Sequence, residues 1–565
     1  MAYTFIDFFC GAGGFTEGFR QQGFKPIRGI EMWQPALNTH NLNFGLDDKV
    51  KNVLEFEDDE EIEILEDSDI ILGSPPCVSF SMANKAGKAD KSLGIRLIEA
   101  FLRVVAVKKH QKNSILKAWY MENVPNSKNY IQETYTFEDL NLDNWAKKNN
   151  FNPKDIALTA KENGAVLNAS EYGSPQKRER FICGEFIEDK VFLYPVKTHT
   201  NEKKLTLKDI RSKIPSPISK ELNKEVVDPN YPSLKCTLNE LTDHTYDTGL
   251  YKIEWEKAKR AKVNHPFMGK MSFPENENNP SRTIMATKAG STRESLIYKS
   301  EYSQRVGNGE YRMPTIREAA TLMGFPYLFN FTGTEGTKWK QIGNAVCPHM
   351  SFALAKALNK RLTDKEINHD KINFSVLETN NKQENLEKYK FNNLNNQTEK
   401  TFNKEPKRTA KSKFRRHILK GGNMTVSLLN YSPVDNNTTV GKDWSMYVFL
   451  GSGNKFQSIP INKNEYITYE KYILENLPTY KQFISSAKNL CTKIPNKLIL
   501  HELYIQNNTQ TKYLDIETFF ERAEELLNNS SNDVIFQSVF QDKKNIPISQ
   551  LLSIYLLNLY FSNIK

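Results

Sequence analysis

The chain has 565 residues, too many for one ordinary core, so two or three folded units are expected. Lysine and arginine number 77 against 67 acidic residues, a formal net charge of +10 that suits a polyanionic partner without demanding one. A quarter of the residues are charged and no apolar run is long enough to cross a bilayer, which argues against a membrane-spanning helix.

The apolar N-terminus has no basic leader and runs into a glycine turn, so a buried strand is expected there rather than a signal peptide. Residues 3–9 form the first strand, followed by that turn and a helix reaching Arg20. Residues 26–30 form a second strand ending at Glu31, with a helix over 34–43. Third, fourth and late strands are expected at 70–73, 119–121 and 180–186, and a helix over 92–109. This alternation predicts an α/β domain, a doubly wound and mostly parallel sheet with helices on both faces, over residues 1–187. Residues 188–287 are rich in proline and irregular and read as a small inserted domain. Residues 288–364 return to regular order and end in a helix over 351–362. Residues 365–423, rich in Asn and Lys, read as a linker. Residues 424–565 regain apolar runs and read as a separate α+β extension of unknown role.

Three segments carry chemistry. Asp7-Phe8-Phe9-Cys10-Gly11-Ala12-Gly13-Gly14 lies between a strand and a helix, where glycines let a backbone approach a ligand and a helix N-terminus favours an anion. A tight structural turn explains it nearly as well. A nicotinamide-dinucleotide fingerprint would place a further glycine where Thr16 stands. Glu31 is placed to accept ribose hydroxyls, or is a solvated strand-end acid.

Gly73-Ser74-Pro75-Pro76-Cys77 follows a strand, and the two prolines hold the cysteine beyond the C-terminal edge of the sheet. Cys77 is a nucleophile there if nearby charge stabilises its thiolate, and an inert buried thiol otherwise. Glu122, in Met121-Glu122-Asn123-Val124-Pro125, closes another strand at the same edge, where a raised pKa would let it donate a proton; capping is the alternative. Gln176-Lys177-Arg178-Glu179-Arg180 offers guanidinium groups for a base carbonyl or a phosphate, or one solvated face. The six cysteines (Cys10, Cys77, Cys183, Cys236, Cys347, Cys491) form no C-x-x-C pair, so neither a metal site nor a disulfide scaffold is expected.

Taken in order, these segments resemble the C5-cytosine DNA methyltransferase family of the bacterial restriction-modification type. Arg317-Glu318-Ala319-Ala320 through Gly324-Phe325-Pro326, and Gln341-Ile342-Gly343-Asn344-Ala345-Val346, resemble two further motifs of that family. The resemblance covers roughly the first two thirds of the chain and implies the fold of S-adenosylmethionine-dependent methyltransferases. It implies Cys77, Glu122, Arg178 and Arg180 as catalytic residues. Cys77 would attack C6 of a flipped cytosine while Glu122 engages N3, so that C5 accepts methyl from S-adenosylmethionine. It implies Phe9, Gly11, Gly13, Gly14, Glu31, Met32, Asn52, Pro75 and Asn344 around that cofactor. Asn52 stands where the family commonly has aspartate, and Cys347 where it commonly has proline.

Double-stranded DNA is the implied partner, with Ser81, Asn84 and Lys85 contacting its backbone as the loop after Cys77 closes over the flipped base; a solvated polar loop is the alternative. Lys257 and Arg260 are candidate contacts from the inserted region, beside Lys259, Lys262 and His265, and Arg282 and Arg293 are further candidates, the latter just past that region's expected end. A solvated surface explains the lysine cluster equally well. The resemblance further implies a monomer in the bacterial cytoplasm at the nucleoid, with a cognate restriction endonuclease. A tRNA cytosine methyltransferase of the same fold and a catalytically inactive DNA-binding homologue are the competing readings. Finally, Lys420-Gly421-Gly422-Asn423-Met424 has residue types that a ribosome-binding site and start codon would encode, a hint that 424–565 began as a second reading frame.

Overall fold

The computed structural model describes residues 2–76, 91–200, 203–263, 269–380, 399–402, 415–421, 424–429, 431, 445–450, 457–460, 466–491, 535–537 and 545–563. Two compact units are present, Met1–Asn403 and Lys404–Lys565.

The first unit begins with β1 (Thr4–Phe8), α1 (Gly14–Gln21), β2 (Lys25–Ile30), α2 (Gln34–Phe44), α3 (Asp59–Glu63), β3 (Ile70–Gly73), α4 (Lys91–His110) and β4 (Ala118–Asn123). It continues with β5 (Thr134–Thr136), α5 (Asp143–Lys148), β6 (Ile156–Thr159), β7 (Gly164–Asn168) and β8 (Glu179–Phe186). Six of these strands form one sheet in the order β2-β1-β3-β4-β8-β7. The four strands β2, β1, β3 and β4 run parallel, whereas β8 is antiparallel to both β4 and β7. The expected late strand is therefore present with reversed direction, because β7 and β8 form a hairpin that the sequence patterning did not reveal.

The doubly wound character follows from period two along each strand. Phe5, Ile70, Leu72, Ala118, Tyr120 and Ile182 point into one core, with Phe15 and Phe19 of α1. Ile6, Phe8, Ile71, Trp119, Met121, Phe181 and Cys183 point into the other, with Ile98, Phe101 and Val105 of α4. Burial on both faces explains why β3 and β4 read as unbroken apolar runs rather than alternating ones.

The region after β8 carries α6 (Leu207–Arg211), β9 (Glu225–Val227), β10 (Lys235–Thr237), α7 (Lys252–Val263), β11 (Tyr298–Lys299) and β12 (Tyr311–Arg312). Helices α8 (Ile316–Met323), α9 (Glu335–Asn344), α10 (Pro348–Thr363) and α11 (Ser375–Asn380) follow. The inserted region extends past its expected end at 287, since Arg312 bridges to Gly249 and Thr248 exchanges bonds with Met313. Its apolar residues Leu207, Tyr231, Leu241 and Trp255 join the core that contains α8, so it has no separate core. A fully buried ion pair, Lys338–Asp243 at 2.8 Å, pins it to α9.

The stretch expected as a linker over 365–423 is divided differently. Phe374 and Leu377 are buried in the first unit, and β13 (Arg415–Gly421) belongs to the second. There β13 pairs antiparallel with β14 (Met424–Leu429), Gly421 lying opposite Met424, and β15 (Ser445–Leu450) and β16 (Gln457–Pro460) complete a four-stranded sheet. Met424 is therefore inside a hairpin rather than at the start of a folded unit. No helix among the described residues is long and apolar enough to cross a membrane.

Candidate active site

The C-terminal edge of the sheet brings together the ends of β1, β3 and β4. After β1 the chain turns at Phe9, which adopts a left-handed φ of 54°, and continues through Gly11 (φ 55°) and Gly13 (φ 100°) into α1. Glu31, at the end of β2, accepts the N–H of Gly11 at 3.1 Å and that of Trp33 at 2.7 Å, so it ties the glycine turn to the next strand. Burial raises its pKa, and the two N–H groups with that of Met32 oppose the rise.

The glycines do different work. A Cβ on Gly13 would lie 2.3 Å from the Phe44 ring, and one on Gly14 would lie 2.1 Å from the Val346 carbonyl oxygen. Their missing side chains make room for neighbouring protein atoms. A Cβ on Gly11 would meet only the Phe9 carbonyl oxygen, at 3.9 Å, so its face is open. Met32 is 64% exposed beside Glu31. Asn344 is exposed at the end of α9, and Pro75 is buried. Asn52, expected near an adenine, caps a 3-10 turn: its side-chain oxygen accepts the Leu54 N–H at 3.1 Å, and Glu55 accepts the Asn52 N–H at 2.9 Å.

Beneath the turn lies a group that sequence reading missed. Asp7, Thr16 and His40 are all fully buried. The Thr16 hydroxyl donates to Asp7 at 2.6 Å and lies 3.0 Å from His40 Nε2, so the three side chains form one hydrogen-bonded chain. Burial pushes the Asp7 carboxyl up to about 7 and the His40 imidazole down to about 3. The second Asp7 oxygen, Oδ1, has no hydrogen-bond partner. The mismatch of Thr16 with a dinucleotide fingerprint was the one available signal.

The β3 end is stitched to both neighbours. Ser74 donates from its N–H to Phe8 O and from its hydroxyl to Phe9 O, each at 3.0 Å. Asn123 donates to Pro75 O at 3.2 Å, while its own oxygen accepts the Val124 N–H at 2.8 Å. Pro76 is the last described residue of this segment, and Cys77, Ser81, Asn84, Lys85 and His265 lie outside the described residues.

Glu122 is 4% exposed and pairs with Arg180 Nε at 2.8 Å. Burial raises its pKa, against the pull of Arg180 and Arg178. Arg178, expected in the same chemistry, is employed elsewhere. Its guanidinium donates to the carbonyls of Ile284 (3.4 Å), Gly343 (3.1 Å) and Ala345 (2.8 Å), bracing the β8 start against the α9–α10 connection.

Among the expected DNA contacts, Lys257 and Arg260 are exposed on α7, as is Lys259. Arg282 and Arg293 are not available in the expected way. Arg282 is bound by Glu275 and the Ser295 carbonyl, and Arg293 by the carbonyls of Ala261, Lys262 and Gly269. Lys262 is buried against Glu275. No cluster of metal-binding side chains occurs among the described residues.

A C-5 cytosine-specific DNA methylase family model matches residues 3–360. The type II methyltransferase M1.HphI of Haemophilus parahaemolyticus is 27% identical over 390 residues, 65% of this chain and 89% of that protein. The type II methyltransferase M.FnuDI of Fusobacterium nucleatum is 27% identical over 374 residues, 64% of this chain and 95% of that protein. Among solved structures, the Entamoeba histolytica methyltransferase EhMeth aligns with 64% of this chain and 99% of its own, at 15% identity and a TM-score of 0.39.

Proposed function

The chain belongs to the C-5 cytosine-specific DNA methylase family and is a DNA cytosine-5 methyltransferase, and from that premise we propose that it takes methyl from S-adenosylmethionine and works through a covalent Cys77–cytosine adduct. The observation that carries this reading is the buried Glu122–Arg180 pair, held beside the glycine turn by the Asn123–Pro75 and Ser74–Phe9 bonds.

The residues fit the cofactor. Gly11 leaves an open face, Glu31 stands at the strand end with lone pairs for ribose hydroxyls, and Asp7 keeps an unpartnered oxygen below the turn. When bound, S-adenosylmethionine supplies an electrophilic methyl group on sulfur. The protein's part is to make C5 of cytosine nucleophilic. The Cys77 thiolate forms a bond to C6 as protonated Glu122 hydrogen-bonds N3, so the ring's electron density shifts to C5. Arg180 orients Glu122 and supplies a guanidinium for the base carbonyl. After methylation a base removes the C5 proton, the C5–C6 double bond reforms and the thiolate leaves. C5 inside a stacked duplex is out of reach, so the base is flipped out.

On this reading Lys257 and Arg260 of α7 hold DNA phosphates, the enzyme acts on duplex DNA as a monomer in the bacterial cytoplasm, and a restriction endonuclease shares its target. Incubation with labelled S-adenosylmethionine and duplex DNA is expected to place label in C5-methylcytosine. Label in tRNA instead, or none despite cofactor binding, overturns the proposal. Cys77→Ser should abolish turnover with cofactor affinity kept, and 5-fluorocytosine in the target should trap an adduct at Cys77.

A further inference from the structure

Residues 399–402 (Glu399-Lys400-Thr401-Phe402) lie beyond residue 360, where the family match ends, yet they are seated on the first unit by a site built for them. Phe402 packs edge-on against Tyr251, with ring centroids 5.2 Å apart. Two glycines clear its seat: a Cβ on Gly309 would lie 2.6 Å from the Phe402 ring, and one on Gly249 would lie 2.9 Å from it. The Arg305 guanidinium packs against two rings, 3.6 Å from the Tyr302 centroid and 5.2 Å from that of Phe402. It pairs with Asp247 at 2.6 Å and with Glu399 at 2.9 Å. Lys400 completes the attachment, donating its backbone N–H to Asp247 and its ammonium to the Gly249 carbonyl, each at 2.8 Å.

What this segment grips is the base of α7. Tyr251 directly precedes the helix, and Trp255 on its first turn donates to the Gly307 carbonyl at 2.8 Å and packs against Tyr311 at 4.8 Å. The loop bearing Arg305, Gly307 and Gly309 is thus clasped between α7 and residues 399–402. A solvated linker needs neither two glycines shaped around an aromatic ring nor a nearly buried Arg–Asp pair that receives its backbone.

We infer that residues 399–402 are a strap that positions α7 for DNA, a positioning element for the methylation reaction outside the family's matched span. The inference rests on the proposal that α7 contacts DNA. A strap of this kind acts on engagement of DNA rather than on the cofactor or the Glu122 chemistry.

In the full-length chain, Phe402→Ala should raise the KM for duplex DNA about tenfold. Its kcat at saturating DNA and its affinity for S-adenosylhomocysteine should stay within about twofold of the parent, and Phe402→Leu should recover most of the loss. An unchanged KM for DNA overturns the inference, as does an equal loss of kcat and cofactor affinity. If Phe402→Ala does not fold, Gly249→Ala, which crowds the seat from the other side, decides by the same split. Lys257→Glu with Arg260→Glu tests the underlying reading separately: no effect on the KM for DNA removes α7 from the interface, whereas a strong effect beside a silent Phe402→Ala removes only the strap.

Discussion

Opposed influences act on Glu122: burial raises its pKa, and Arg180 and Arg178 lower it, with burial dominant. A proton-donating Glu122 loses its function as pH rises through that raised pKa, so kcat should fall on an alkaline limb lying above the ordinary carboxylate range. Glu122→Gln should cut kcat by about 10²–10⁴ and abolish the limb, measured as kcat against pH at saturating substrates. The Asp7–Thr16–His40 chain makes a second residue-scale prediction. Asp7, raised to about 7, contributes stability that is full below about 4 and lost as pH rises toward about 7. His40, lowered to about 3, contributes in the opposite sense, its stability being lost as pH falls from about 6.5 toward about 3. The two slopes cancel between them. Asp7→Asn should therefore tilt the stability profile, making unfolding free energy rise with pH by about 1.4 kcal/mol per unit relative to the parent over that window. A parallel pair of urea-denaturation profiles from pH 4.5 to 6.5 would refute it.

Among secondary-structure elements, β1 to β4, β8 and the helices α1, α2 and α4 were legible because a sheet buried on both faces yields continuous apolar runs punctuated by turn residues, whereas β5, β6, β7, α3 and α5 were not read from the sequence. The segment expected at 70–73 coincides with β3, and the one at 180–186 lies within β8. The reversed direction of β8 was not legible, since direction is fixed by its antiparallel pairing with β4 and β7 and leaves no mark in the apolar pattern of the segment itself. The roles of Arg178 and Arg180 were equally indistinct. Two arginines separated by one residue share a face, and what divides their roles is a set of carbonyls 106, 165 and 167 positions downstream. That division is testable. Arg178→Met strands three buried carbonyls at the joint between β8 and the α9–α10 connection, and should cost about 3–5 kcal/mol of stability. Arg180→Met, at 12% side-chain exposure, leaves Glu122 free to take up a proton, so it should cost less stability than Arg178→Met while kcat collapses. Urea midpoints and initial rates on the same preparations separate the two outcomes.

The whole chain divides at Asn403, and that boundary follows from packing rather than from composition. The Asn- and Lys-rich stretch after Thr363 reads as a linker because its apolar residues are sparse, yet Ile372, Phe374 and Leu377 are buried in the first core. Phe374 packs against Tyr231 at 5.4 Å, and Arg20 donates to the Asn373 carbonyl at 2.6 Å, so this stretch closes over α1. A chain ended after Leu362, where the helical pattern of the catalytic domain stops, would lose three core side chains and expose their cavity. Each removal of a large buried apolar side chain costs about 2–5 kcal/mol, which together exceeds the net stability of many domains. Such a chain should fail to bind S-adenosylhomocysteine or should melt far below the parent. A cut at Met424 is no better placed, because it separates β13 from its partner β14 and leaves a strand edge unpaired. A chain ended after Asn403 keeps the first core and residues 399–402 together, and should bind the cofactor product and methylate duplex DNA with a KM within about threefold of the parent's. Loss of methylation in that chain, with cofactor binding intact, would show that the second unit takes part in the reaction rather than accompanying it.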